Sequence, residues 1–151
     1  MLKQGLNSAV STRFFMPSAE LAPYISTYYL TEFAGAPGEI IADWLHPEWA
    51  NLRLTDTPRW SASIGDAPFA PLARIIGTGP TGVATHFSVD GPMRSWGIGL
   101  LPLGWLRLLD CPASQLADQT LACTSDGPFG DFTALHDTVF DGQVNPQAEA
   151  A

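Results

Sequence analysis

The chain has 151 residues, of which 46% are hydrophobic and 15% are charged. This length is typical of one domain, and folding a chain of this size buries roughly two-thirds of the unfolded surface, so that no disulfide or metal staple is required. The net charge of −8 arises from 15 acidic and seven basic residues, which excludes a Lys/Arg stripe able to neutralise phosphates. We therefore predict that this chain alone does not bind DNA.

The sequence also indicates the cellular compartment and argues against a membrane partner. Cys111 and Cys123 are the two cysteines, and no apolar signal segment opens the chain. No run approaches the roughly 18 consecutive apolar residues of a membrane helix. We predict a reduced, cytoplasmic protein with no membrane partner.

Turn residues divide the chain into short elements, because 14 glycines and 13 prolines favour turns over long helices. Residues 1–12 are polar and are predicted to be loose, and Ser18 is a candidate cap of a short helix that Pro23 ends. Seven runs rich in β-branched and aromatic residues then predict strands, at Tyr24–Phe33, Ile40–Leu45, Trp49–Thr55, Arg59–Ile64, Leu72–Ile76, Val83–Val89 and Arg94–Leu101.

Short helices are predicted after the last strand. Pro102–Leu109 and Pro112–Gln119 each begin with a proline, whose missing N–H costs nothing in a first helical turn. After Leu121 the sequence thins into a linker-like composition, followed by a short helix around Phe132–Phe140. Seven short strands with few helices predict a mainly β (α+β) barrel or sandwich.

Gly77, Gly79 and Gly82 match the spacing of a dinucleotide-binding loop. Such a loop opens a helix, whereas Val83–Val89 alternates like a strand, and no acidic residue stands about 20 positions on to hold a ribose. We interpret these glycines as part of a turn between two strands.

Two predicted strands have one bulky face and one small face. Ser95, Gly97 and Gly99 share the small face of one strand, and His86 and Ser88 lie on the small face of the other. A small face either admits a closely packed helix or leaves room for a ligand, and the sequence leaves both open. If a ligand binds, we expect it against these faces, within reach of tryptophans. The candidate ligand-binding residues are His86, Ser88, Ser95, Gly97, Gly99, Trp44 and Trp60.

Each candidate also has a purely structural interpretation. A histidine on a half-buried strand, such as His86, is often satisfied by a neighbouring backbone group, and tryptophans are first of all core residues. Asn51 and Arg53 share one strand face, which we predict to point outward, because two inward polar groups would be unusual without a ligand or partner.

Catalytic and metal motifs are weak. His46, His86 and His136 are too scattered for a metal pair, and the two cysteines lack C-x-x-C spacing. No nucleophile elbow or paired carboxylates stand out. We predict no catalytic residues, no metal and no cofactor, and hence that the chain is not an enzyme.

Three runs carry a resemblance to a known family: IIADWLHPEWANLRL, GTGPTGVATHFSVDGPMRSWGIGLLPLGW and LADQTL. They resemble the N-terminal regulatory domain of AraC-type bacterial transcription regulators, in a group whose core motif is similar to G-[IV]-R-F-x-P-G. The motif stands here at residues 97–104, with Gly99 where many relatives carry arginine and with Leu103-Gly104 in place of the glycine that usually follows the proline.

The resemblance implies a cupin-like antiparallel β-barrel with short C-terminal helices over residues 1–121. It implies that residues 122–151 are a linker and the start of a C-terminal region whose DNA-binding helix-turn-helix motifs are missing from this chain. The expected function is effector sensing, dimerisation or both, with an unknown small-molecule effector and a homodimer. The alternatives are a free-standing cupin-like enzyme or binding protein, and a dimerisation module without a pocket.

Overall fold

The computed structural model describes residues 10–142 and 144–151, which contain ten strands in two antiparallel sheets. The strands are Val10–Phe15 (β1), Ile25–Phe33 (β2), Ile40–Leu45 (β3), Asn51–Thr55 (β4), Trp60–Ile64 (β5), Ala70–Pro71 (β6), Ile75–Thr78 (β7), Thr85–Asp90 (β8), Met93–Leu100 (β9) and Thr120–Ala122 (β10). A six-stranded sheet has the order β1-β2-β9-β4-β7-β10, and a four-stranded sheet has the order β3-β8-β5-β6.

Helical segments are short and lie mostly after the last long strand. They are α1 (Pro102–Leu108), α2 (Leu135–Phe140) and α3 (Pro146–Glu149), with 3₁₀ turns at Ala113–Gln115 and Gly130–Phe132. The predicted fold class, a mainly β antiparallel architecture with short C-terminal helices, is therefore confirmed. The seven predicted strands correspond to β2, β3, β4, β5, β7, β8 and β9; β3 matches its predicted bounds, and no end of the others is shifted by more than three residues.

The inner faces of the two sheets pack against each other at one end of the molecule. Phe33 and Met93 of the six-stranded sheet form a core cluster with Trp60 and Val89 of the four-stranded sheet. Side chains alternate along a strand, so this contact fixes which residues of every paired strand point inward.

The outer face of the six-stranded sheet is covered by the C-terminal segment, the residues that follow β9. Leu52 and Leu100 pack with Trp105 of α1 and with Phe129, which is 1% exposed. Trp96 packs among side chains of α2. Residues after Ala122 thus lie against the sheet, and the division of the chain at residue 121 stays a prediction.

Several predicted elements differ from the structure. Residues 1–9 lie outside the described residues, but Val10–Thr12 are not loose, because they pair with β2 at the sheet edge. The segment from Ser18 to Ala22 forms a single turn, in which the amides of Leu21 and Ala22 donate to the Ser18 carbonyl.

The predicted helix at Pro112–Gln119 shortens to one 3₁₀ turn. Asp118 has a φ of 54° and donates its amide N–H to the Pro80 carbonyl, which ties the chain to the β7–β8 loop before β10 begins. The glycines at 77–82 connect strand β7 to strand β8, so the strand-to-strand interpretation of this loop is confirmed.

Candidate functional site

A polar cluster lies on the inner face of strand β4, where the sequence predicted an outward polar face. Asn51 is 2% exposed and Arg53 is 8% exposed. Leu52 and Leu54, which alternate with them along the strand, point to the covered outer face and pack in its apolar clusters. The outward prediction for Asn51 and Arg53 is therefore wrong, because the C-terminal segment takes the apolar face of β4 and leaves the polar face toward the interior.

Arg53 is held by an ion pair inside the fold. Its Nη2 donates to both carboxylate oxygens of Glu48, at 2.9 and 2.7 Å, and its Nη1 donates to the Asn51 side-chain oxygen at 2.7 Å. The Glu48 amide donates to the Thr81 hydroxyl at 2.8 Å, which fixes the loop that carries the carboxylate. Two of the three guanidinium nitrogens are therefore engaged by protein partners.

Burial alone would lower the pKa of Arg53, but the facing Tyr29 and Glu48 groups outweigh that effect and raise it. The guanidinium is therefore charged at neutral pH. Breaking such a buried pair is costly, because the charge that remains is left without a partner.

Tyr29 of strand β2 completes the cluster. The Arg53 guanidinium carbon lies 5.8 Å from the centre of the Tyr29 ring. Within the described part of the chain, the Tyr29 hydroxyl is buried and makes no hydrogen bond of regular geometry, and its ring tip packs over Gly97 beside the Arg53 side chain. Burial and the nearby Glu48 charge raise the pKa of Tyr29, against the lowering effects of the Arg53 charge and of a polar contact with the Arg53 side chain, so the phenol is neutral.

Two cavities border this cluster. The inner cavity, between the sheets, has a volume of about 420 Å³, and the side cleft, beside the β3–β4 loop, has a volume of about 500 Å³. Tyr29 and Glu48 line both, Arg53 lines the inner cavity, and Asn51 lines the side cleft. The walls of the inner cavity are largely apolar, with Val10, Phe14, Phe33, Leu45, Trp60, Phe87 and Met93 among them.

The predicted residues of strand β9 do point inward. Ser95 lines the inner cavity and Gly99 lines the side cleft. A Cβ built on Gly97 would lie 1.9 Å from the Tyr29 ring, and one on Gly99 would lie 2.2 Å from the Ser26 hydroxyl. The small face is filled by side chains of the neighbouring strand, which neither sequence-based alternative, a packed helix or an open space, had named.

The predicted residues of strand β8 point the other way. Ser88 pairs with Ser61 on the outer face of the four-stranded sheet. His86 lies on that same face, stacked on Trp44 with ring centres 4.5 Å apart. His86 and Ser88 therefore do not line the inner cavity, because Phe87 and Val89 take the inward positions of this strand.

The two candidate tryptophans lie in different environments. Trp60 is 8% exposed, lines the inner cavity, and donates its indole N–H to the Ala73 carbonyl. Trp44 is 59% exposed and borders the cavity only from the edge strand β3. Whether any of these residues binds a ligand stays a prediction.

The sequence analysis missed two of the residues that surround Arg53, Glu48 and Tyr29. Glu48 lies in a loop, and nothing in its neighbourhood marks it as an ion-pair partner. Tyr29 lies on β2, far from Gly97 in sequence, and only the β2–β9 register brings its ring over the glycine. The one usable signal is the Asn51-Leu52-Arg53 alternation, whose polar face we predicted to point outward.

Among residues 10–142 and 144–151, no group of three or more histidine, cysteine, aspartate or glutamate side chains is placed to hold a metal ion. In the same part of the chain, no helix has the length and apolar character needed to cross a bilayer.

No protein-family model matches the sequence, and no curated protein matches it. Among solved structures, the chain is similar to a cupin superfamily protein from Desulfitobacterium hafniense. The two share 15% identity over 61% of this chain and 77% of the other, with a TM-score of 0.43. This is a partial likeness between folds, and no ligand or activity of the present chain follows from it.

Proposed function

We propose that this chain is a small-molecule-binding domain whose ligand lies in the inner cavity. The observation that carries the proposal is a cavity of about 420 Å³ between the sheets, whose largely apolar walls meet the inward polar cluster around Arg53. Small-molecule sites combine mostly apolar walls with a few placed polar groups, which is the arrangement of this cavity. The volume is in the range of small-molecule sites.

The finer part of the proposal is that binding serves gene regulation. The similarity of residues 97–104 and their flanking runs to the regulatory domain of AraC-type regulators supports it. In that arrangement the domain senses an effector, forms a homodimer, and acts through a separate helix-turn-helix domain that binds DNA.

Binding is tested by filling the cavity. Thr31 lines the inner cavity, whereas Ser61 points outward from the other sheet. A metabolite library is screened for compounds that raise the thermal unfolding temperature of the wild type. We expect Thr31→Trp to abolish these shifts and Ser61→Trp, which adds the same bulk elsewhere, to preserve them.

Compounds that stabilise both variants equally would place the site outside the inner cavity and contradict the proposal. A compound that is consumed in the assay, with loss of turnover in Thr31→Trp alone, would favour the free-standing enzyme instead.

The regulatory part is tested with a fusion of this chain to a DNA-binding domain that represses a reporter only as a dimer. We expect repression to change when a compound found in the screen is added. Repression that is absent, or insensitive to every such compound, would contradict the regulatory role while leaving ligand binding intact.

A further inference from the structure

The outer face of the six-stranded sheet holds a carboxylate between two donors of strand β9. Oε2 of Glu149 accepts hydrogen bonds from Arg94 Nη2 at 2.7 Å and from the Trp96 indole N–H at 2.8 Å. All three side chains are largely shielded from solvent. A cation and a neutral N–H that converge on one oxygen form a strong, charge-assisted site for a carboxylate.

The donors and the acceptor differ in how firmly the fold holds them. β9 lies within the six-stranded sheet and pairs with β2 on one side and with β4 on the other, which fixes the backbone of Arg94 and Trp96. Glu149 belongs to α3, a helix of four residues, which is too short to be stable by itself. The carboxylate can therefore leave while its two donors stay in place.

An apolar cavity of about 230 Å³ borders the Glu149 carboxylate. Its walls include Leu54, Ile98, Leu135 and Val139. Glu149 carries the one charged side chain among the described residues that line this space. The cavity has room for a single aromatic ring, since cavities of roughly 150 Å³ bind benzene. We call it the outer cavity, because it lies on the opposite face of the sheet from the inner cavity.

The chemistry of the two donors favours an anion in place of Glu149. Without an acceptor, the buried Trp96 N–H would be left unsatisfied, which is costly. Arg94 would be left with the more distant Glu32 carboxylate, whose Oε1 lies 3.6 Å from Arg94 Nε. An amine would repel Arg94, and an alcohol would satisfy the N–H without compensating the charge. A carboxylate does both.

We propose that the outer cavity binds a small apolar carboxylate, whose charged group replaces Glu149 between Arg94 and Trp96 and whose apolar body fills the cavity. Helix α3 is then a built-in competitor that is displaced when the ligand binds. This site is separate from the inner cavity, so the inference goes beyond the proposed function and does not depend on it.

The test uses three probes that differ in one group: 3-phenylpropanoate, 3-phenyl-1-propanol and 3-phenylpropylamine. The acid carries its carboxylate on two methylene groups, as glutamate does, and adds one ring for the cavity. Dissociation constants are measured by calorimetry on the full chain at neutral pH. In the wild type the tethered Glu149 competes at an effective concentration on the order of millimolar, so the acid should bind weakly.

Removing the competitor should open the site. We expect Glu149→Ala to bind 3-phenylpropanoate at least about tenfold more tightly than the wild type does, and at least about tenfold more tightly than it binds the alcohol or the amine. Glu20→Ala is the control, because it removes an exposed negative charge from the turn between β1 and β2. The affinity of this control for the acid should stay within about twofold of the wild-type value.

The place of binding is tested in the Glu149→Ala background. Val139→Trp fills the outer cavity and should abolish binding, whereas Thr138→Trp adds the same side chain at an exposed position of α2 and should preserve it. Arg94→Met should remove the advantage of the acid over the alcohol. Circular dichroism checks that each variant folds; if Arg94→Met does not, the comparison of the three probes in Glu149→Ala tests the same contact.

Three results would overturn the inference: no binding of the acid to Glu149→Ala, equal affinity of the acid for Glu149→Ala and the wild type, or an alcohol that binds as tightly as the acid. Thr31→Trp, which fills the inner cavity, should leave binding of the acid unchanged. Loss of binding in Thr31→Trp would place the acid in the inner cavity, which would support the proposed function and overturn this inference.

Discussion

The two faces of the six-stranded sheet differ in what fills them. The outer face carries Leu52, Trp96 and Leu100 and is covered by the C-terminal segment through Trp105 and Phe129. The inner face carries Phe33 and Met93 at one end and small and polar residues around Arg53, and cavities remain above it. The same strands thus contribute to a filled core on one side and to a cavity with a polar cluster on the other. The difference depends on the C-terminal segment, which covers the apolar side chains of the outer face.

The largest expected effect separates packing on the two faces. Phe129→Ala should cost about 3–5 kcal/mol of unfolding free energy, as for other phenylalanines removed from a filled core. Phe87→Ala removes the same side chain from the opposite wall of the inner cavity, on β8 of the four-stranded sheet, and should cost clearly less, because part of that ring already faces empty space.

Urea unfolding followed by tryptophan fluorescence compares the two variants with the wild type. Equal losses would show that the inner face is packed as tightly as the outer one, and the contrast between the faces would be gone.

The sequence allowed the strands to be predicted well, because alternation and turn residues are local signals. The polar side chains of β4 were predicted to point outward, and there is a physical reason why this prediction is wrong. Asn51-Leu52-Arg53-Leu54 alternates like a strand with one solvent-exposed face. No residue near it in the sequence indicates that a later segment covers its leucines.

The partners of Arg53 escaped prediction for a related reason. Its pairing with Glu48 depends on the path of the β3–β4 loop, and the position of Tyr29 depends on the β2–β9 register. Such contacts arise from tertiary structure, which single-sequence periodicity does not encode. The small face of β9 was identified correctly, since Gly97 and Gly99 mark a close approach in any arrangement.

An intermediate effect is expected at Gly97, where the inner face is tightest. A Cβ there would meet the Tyr29 ring at 1.9 Å, so Gly97→Ala should cost about 1–3 kcal/mol. Tyr29→Ala removes the ring that the new methyl group would meet, and the double variant should be more stable than the sum of the two single changes predicts.

Gly82→Ala is the control, because its nearest neighbour would lie 3.9 Å from the added carbon. Its unfolding free energy should change by less than about 0.5 kcal/mol. Additive losses in the Gly97–Tyr29 pair would contradict the close contact on which the inner face is built.

The smallest effect concerns how the C-terminal segment is held on the outer face. Glu149 of α3 is bonded by Arg94 Nη2 at 2.7 Å and by the Trp96 indole N–H at 2.8 Å. Burial raises the pKa of Glu149, but these bonds, the Asn145 amide and the Arg94 charge outweigh burial, and the pKa is lowered from the ordinary value of 4.5.

A carboxyl whose pKa is lower in the folded state stabilises the protein above its unfolded pKa, and this stabilisation is lost as the pH falls through the folded value. The wild type should therefore lose stability below pH 4.5 more steeply than Glu149→Gln, with a difference on the order of 1 kcal/mol between about pH 7 and about pH 3. Urea unfolding of both proteins across this range measures the difference directly. Parallel pH profiles would mean that the Glu149 contacts do not hold the segment, and that apolar packing alone keeps it on the sheet.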